Sequence, residues 1–115
     1  MDREIKKSLE DILCAINEIE SFVSQYPRQY DAFCSTPILI RAVQMNIAII
    51  GEATNRVLKL KKDISITNAR KIVNTRNYVI HGYDSLRHEI LWAIVVKDLP
   101  VLKEEVKALI NIQPK

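Results

Sequence analysis

The sequence predicts an all-α protein, an antiparallel up-and-down bundle of four long helices with one short helical turn between the first two. Three observations carry this. Apolar residues recur at spacings of three and four along most of the chain, the repeat of a helix with one buried face. Strand-type alternation is hard to find. Glycine is scarce, at two residues, against four prolines, so breaks are few and the connections short.

The first helix is expected from about Asp2 to Gln25, where Ile5, Leu9, Ile12, Ile16, Ile19 and Val23 line one side. The stretch YPRQYDAFCSTP, Tyr26 to Pro37, breaks the pattern between two prolines and holds the short turn. Ser35 or Thr36 caps the second long helix, with Pro37 tolerated in its first turn. Leu39, Ala42, Val43, Asn46, Ile49, Ile50, Ala53 and Val57 mark its inner side to about Leu60. The lysine-rich KLKKD, Lys59 to Asp63, connects to a third long helix. That helix opens at Ser65 or Thr67 and carries Ala69, Ile72, Val73, Arg76, Val79 and Ile80. Gly82 stops it, because glycine adopts the left-handed conformation at little cost. From about Leu86 a last helix runs through Ile90, Leu91, Ile94 and Val95. Pro100 bends or restarts it behind a candidate cap at Asp98. Val101, Leu102, Val106, Leu109 and Ile110 complete the core.

At 115 residues, with 48% hydrophobic and 27% charged residues, the chain suits one domain spanning 1–115. The start MDREIKKSLEDI is too polar for a signal peptide. The longest apolar run, Ile90 to Val96, is too short to span a bilayer. Cys14 and Cys34 sit in no metal or redox spacing and read as reduced thiols. The expectation is a cytoplasmic protein with no membrane partner. Charge is uneven. From Arg56 to His88 there are eight Lys/Arg against Asp63 and Asp84, a net of +6. The whole chain carries +3, which leaves −3 for the rest. A basic segment in an otherwise acidic chain suits either a solvated face or a polyanion partner.

Inside that segment lies RNYVIHGY, Arg76 to Tyr83. Arg76 follows Ile72 and Val73 by four and three residues, which puts a guanidinium on the apolar stripe, a costly place unless it is paired or faces a cleft. Glu52 poses the same question beside Ala48, Ile49 and Ala53. Two readings follow: an Arg76–Glu52 ion pair, or Arg76 facing a groove at a subunit boundary. His81 stacks four residues after Asn77. Arg76 and His81 diverge by about 140° on a regular helix. They converge if the helix ends at Gly82, or with copies from a second chain across a two-fold axis.

The residue types suit metal-free cleavage of RNA. Arginine grips a phosphate in a bidentate way. Histidine moves a proton near neutral pH. Asparagine can orient the imidazole, and Tyr83 offers a hydroxyl and a flat face for a base. No carboxylate cluster has metal-ligand spacing, which counts against a two-metal nuclease. No glycine-rich phosphate loop is present. No cofactor is expected.

At these residues the sequence resembles the HEPN domain, specifically the HepT-like ribonuclease toxins, whose R-x-x-x-x-H-x-Y pattern reads here Arg76-Asn77-Tyr78-Val79-Ile80-His81-Gly82-Tyr83. IIGEA, Ile49 to Ala53, is similar to the family's I-G-E-A. EILWAIVVKDLPVL, Glu89 to Leu102, is similar to its last helix, with Trp92 and the D-L-P turn. The resemblance implies a homodimer in which two motif copies form a metal-independent endoribonuclease site. It implies that Arg76 and His81 are catalytic, with Asn77 supporting; Glu52 joins Asn77 as a candidate orienting residue, its role left open. It implies a type VII toxin–antitoxin context with a nucleotidyltransferase antitoxin of the MntA type, which modifies the tyrosine matching Tyr83 with AMP. Two departures stand out. Asp84-Ser85-Leu86-Arg87 replaces a frequent Phe-Gly-x-Asp, and Thr67 and Asn68 stand where many relatives have Trp. The alternative is a non-catalytic accessory subunit that holds nucleotide or substrate for a nucleotidyltransferase. A purely structural bundle, with Arg76 paired to Glu52, is the third reading.

Overall fold

The structure is a computed structural model and describes residues 2–80 and 88–112, with 76–80 taken as backbone only. It is all-helical, with no strand among the described residues. The order is α1 (Arg3–Val23), α2 (Tyr30–Cys34), α3 (Pro37–Leu60), α4 (Ala69–Ile80), α5 (His88–Ala93), a π-helical turn (Ile94–Asp98) and α6 (Leu99–Asn111). α5, the π-turn and α6 together form the last long element. The expected four long helices and one short one are therefore present.

α1 starts where the Asp2 carboxylate accepts the Glu4 backbone N–H at 2.7 Å, the normal way to satisfy an orphan donor at a helix start. All six residues expected to line it are buried, as are Ser8 and Ala15. α3 is the centre of the bundle, packed on α1 along one side and α4 along another, and α6 closes against α1. The direction of each pair follows from side-chain links. Arg56, late in α3, donates through Nε to Ser8 Oγ of early α1 at 3.2 Å. Lys103 of α6 bonds Glu20 of late α1 at 2.7 Å. Both α3 and α6 therefore run antiparallel to α1.

Five expectations need correction. Val101 is 51% exposed, so it faces out of α6 while Leu102 and Val106 fill the core. Ile49 is 42% exposed, because the inner side of α3 centres on Val43, Ile47, Ile50, Thr54 and Val57. The α3 start has no side-chain cap. Thr36 Oγ1 donates back to Ala32 O and Ser35 Oγ to Asp31 O, while the Thr36 carbonyl accepts from Leu39 and Ile40. α4 opens at Ala69, later than Ser65 or Thr67. Asn68 sits in the left-handed region at φ 61°, which asparagine tolerates, and Thr67 is held by Glu105. Asp98 makes no capping bond to α6.

Buried hydroxyl and amide groups find partners in the preceding turn. Asn46 Nδ2 donates to Ala42 O, Thr54 Oγ1 to Ile50 O and Thr75 Oγ1 to Lys71 O, a local bond these side chains make readily within helices. The core is thus apolar apart from Asn46, Thr54 and Thr75, which bond within their own helices, and Ser8, which accepts from Arg56, and it fixes α3 and α4 side by side.

Candidate active site

α4 carries the first half of the motif. Ile72 and Val73, one turn before Arg76, are buried at 9% and 7% exposure, and Thr75 is buried as well. The register that places Arg76 on the inner stripe of α4 therefore holds up to the residue before it. Helical backbone continues through Arg76, Asn77 and Tyr78 to Ile80. His81, Gly82, Tyr83 and Asp84 lie outside the described residues, and so do the expected stop at Gly82 and the convergence of Arg76 with His81. The Arg76–Glu52 pair also falls there, since it needs the Arg76 side chain.

The neighbouring α3 presents the I-G-E-A element. Ile50, Gly51 and Ala53 are buried and Glu52 is exposed. This corrects the reading of Glu52 as a carboxylate on the apolar stripe. At about 100° per residue, Glu52 falls on the outer face with Ile38, Met45 and Ile49, opposite the core. Ile38 and Met45 are 73% and 64% exposed. α3 thus carries an apolar strip on the side away from the core, bordered by Arg41 and Glu52.

The start of α5 is anchored by aromatics. Phe33 of α2 is 1% exposed. The His88 ring stands edge-on to it at 6.4 Å between centroids, and Trp92 lies against it at 5.2 Å. The second histidine thus packs at the start of α5. Tyr30, on the same short helix, has its phenol pushed up to about 12. The hydrogen bond with the Cys34 side chain is the largest cause, followed by partial desolvation and the negative charges of Cys34, Glu89 and Asp31. Cys14 and Cys34 are both free.

The entrance of α4 is fixed too. Glu105 of α6 accepts from the Thr67 backbone N–H and hydroxyl, and Asp98 Oδ2 lies 3.2 Å from Lys71 Nζ. Sequence reasoning missed this last contact. The signal was there: Asp98 comes three residues after Val95 and four before Leu102, on the inner side of the last helix. Pro100 directed attention to a cap instead.

The fold is a small all-helical bundle, and its motif-bearing helix lies against α3 with an arginine–asparagine pair near its C-terminal end, the build of a HEPN-type domain. Comparison with known proteins agrees. The family described as Ribonuclease HepT-like matches residues 12–109, and the chain belongs to that family. It is 30% identical over 106 residues to "Putative RNase MJ1380" of Methanocaldococcus jannaschii, covering 91% of this chain and 95% of that one. It is 30% identical over 113 residues to "Probable ribonuclease HepT" of Thermococcus cleftensis, covering 95% and 98%. A third relative, "Putative RNase TTE0752" of Caldanaerobacter subterraneus, is 29% identical over 71% of this chain and 74% of its own. No solved structure matches. No helix among the described residues is long and apolar enough to cross a membrane.

Proposed function

We propose that this chain is a metal-independent endoribonuclease that works as a homodimer, with Arg76 and His81 of two copies lining one cleft. The observation that carries the reading is family membership over residues 12–109 together with the intact Arg76, Asn77, His81 and Tyr83 of the motif. The imidazole of His81 draws the proton from a ribose 2′-OH. The oxygen attacks the adjacent phosphorus as the P–O5′ bond breaks, leaving a 2′,3′-cyclic phosphate, and the departing 5′-oxygen takes a proton from the imidazolium or from water to become a 5′-hydroxyl. Arg76 steadies the charge that grows on the phosphoryl oxygens, the kind of electrostatic help that contributes most in such reactions. Asn77 and Glu52 orient.

The outer strip of α3 supports the pairing. Ile38, Met45 and Ile49 expose apolar surface, and Arg41 and Glu52 sit almost symmetrically about residues 46–47. Two α3 helices crossing antiparallel about that point would bring Arg41 of each copy toward Glu52 of the other, a self-complementary pattern of the sort a two-fold interface needs. Tyr83, two residues beyond His81, is the site where an MNT-type nucleotidyltransferase antitoxin would add AMP. Bulk and negative charge there would oppose RNA. The chain is then the toxin of a type VII pair.

The test is chemical. Purified protein in excess EDTA is given an RNA oligonucleotide and the same oligonucleotide with 2′-deoxyribose throughout. The reading expects cleavage of the RNA alone, leaving cyclic phosphate and 5′-hydroxyl ends. Intact RNA, or equal cleavage of both strands, would reject it. RNA left whole while nucleotide binding depends on Arg76 would favour the accessory-subunit reading.

A further inference from the structure

We propose that Asp98 is a positioning residue for the motif helix. Carried on the π-helical turn, its carboxylate holds Lys71 and so sets the rotation and axial place of α4 just before Arg76. In its catalytic part this rests on the ribonuclease reading above.

Asp98 lies on the inner side of the last helix, in register with the buried Leu91, Ile94, Val95, Leu99 and Leu102. Its side chain is 18% exposed. A carboxylate so placed needs a reason, since burying a charge is costly unless it is paired. Capping is not the reason, because it makes no side-chain bond to the start of α6. Its partner is Lys71 Nζ at 3.2 Å, on α4, five residues before Arg76.

The backbone is adapted to the contact. From Ile94 to Asp98 the chain forms a π-helical turn, and the Leu99 N–H bonds the Ile94 carbonyl five residues back. Such single turns are rare and cluster at functional positions. They let a helix present a residue at an angle that regular α-helix would not. Beside the turn lies a cavity of about 10 Å³ lined by Lys71 and Asp98 together with Ile50, Ile72, Ile94 and Leu99. That is room for about one water. Apolar packing is therefore incomplete where α4 meets α3 and the last helix, and the polar clasp restrains α4 there.

The magnitudes separate a positioning role from a stabilising one. The Lys71 side chain is 60% exposed, and ion pairs with one member in solvent contribute little to global stability. A displacement of about 1 Å in a catalytic group, by contrast, can cost about a hundredfold in rate. Loss of the clasp should therefore lower turnover far more than it lowers stability.

The experiment uses the full chain as wild type, Asp98→Ala, Lys71→Asp and the double exchange Lys71→Asp with Asp98→Lys. Two readouts are taken: steady-state RNA cleavage, and hydrogen–deuterium exchange of peptides within 72–80 and within α1. Asp98→Ala should lower kcat by about tenfold or more, with KM within about twofold. Exchange should rise about fivefold or more in 72–80 and stay unchanged in α1. The double exchange should recover at least part of both losses relative to Lys71→Asp alone. Unchanged kcat and unchanged exchange in Asp98→Ala would overturn the proposal. So would exchange rising equally in α1 and 72–80, the mark of a merely structural role. If the wild type cleaves no RNA, the ribonuclease reading fails and the exchange pattern alone decides whether Asp98 positions α4.

Discussion

Glu105 of α6 clasps Thr67 at two points, accepting the backbone N–H at 3.1 Å and the side-chain hydroxyl as well. The pair joins positions 38 residues apart and fixes the chain immediately before Asn68 turns it into α4. Glu105→Ala leaves that N–H and hydroxyl without their carboxylate, and hydrogen bonds to charged groups are worth about 1.5–3 kcal/mol. Glu105 is half-buried, so water replaces part of the loss. The expected cost is about 1–2 kcal/mol in urea unfolding, with Glu105→Gln losing less. A change below about 0.3 kcal/mol would show the clasp to be incidental.

Phe33 is the hub of the short α2. It is 1% exposed and holds both His88 and Trp92. Phe33→Ala should cost about 3–5 kcal/mol, as expected for removing a buried aromatic ring. Phe33→Leu should cost roughly half as much, since it restores volume without the ring contacts. Denaturant unfolding followed by Trp92 fluorescence reads both, Trp92 being the single tryptophan.

The outer strip of α3 predicts the oligomeric state. Met45→Asp and Ile49→Asp place charge on a face the core does not use, so the monomer fold should survive with a circular dichroism spectrum unchanged. Light scattering should then shift from about 26 kDa, twice the 13.2 kDa chain, to the monomer mass, and RNA cleavage should fall with it, since charge buried at an interface centre is strongly unfavourable. A dimer that persists in both variants would place the interface elsewhere.

The phenol of Tyr30 should titrate late. Folding keeps its proton on, raising the pKa from 10.0 to about 12. The associated stability is fully present below pH 10, declines as the unfolded phenol ionises, and is lost as pH rises through about 12. Ultraviolet absorbance of phenolate reads this directly. Wild type minus Tyr30→Phe should show a transition near pH 12 while the protein stays folded. A transition near pH 10 would contradict the Cys34 contact.

Much of the fold could be read from the amino-acid order because amphipathic helices write their buried faces in spacing. All six residues expected to line α1 are in the core. Spacing was less decisive on α3, a helix apolar on nearly every side, where Ile49 counted as core but lies outside. The boundary of α4 was misread because Thr67, a good cap by type, is recruited by Glu105 from 38 residues away. Asp98 was misread for a related reason: a nearby proline suggests a cap, and only tertiary packing reveals Lys71 as the partner. The motif itself was legible by residue type. What spacing could not decide is whether Arg76 and His81 converge, because on the proposed reading that needs both a helix end near Gly82 and a second copy, and neither is written in the periodicity.

Whether Arg76 and His81 form a metal-free ribonuclease site is decided by the rate of RNA cleavage in EDTA by wild type and His81→Ala. Wild type should cleave, and His81→Ala, with helical content and dimer mass intact, should be slower by about a hundredfold or more. Cleavage by His81→Ala at the wild-type rate would contradict the proposed site.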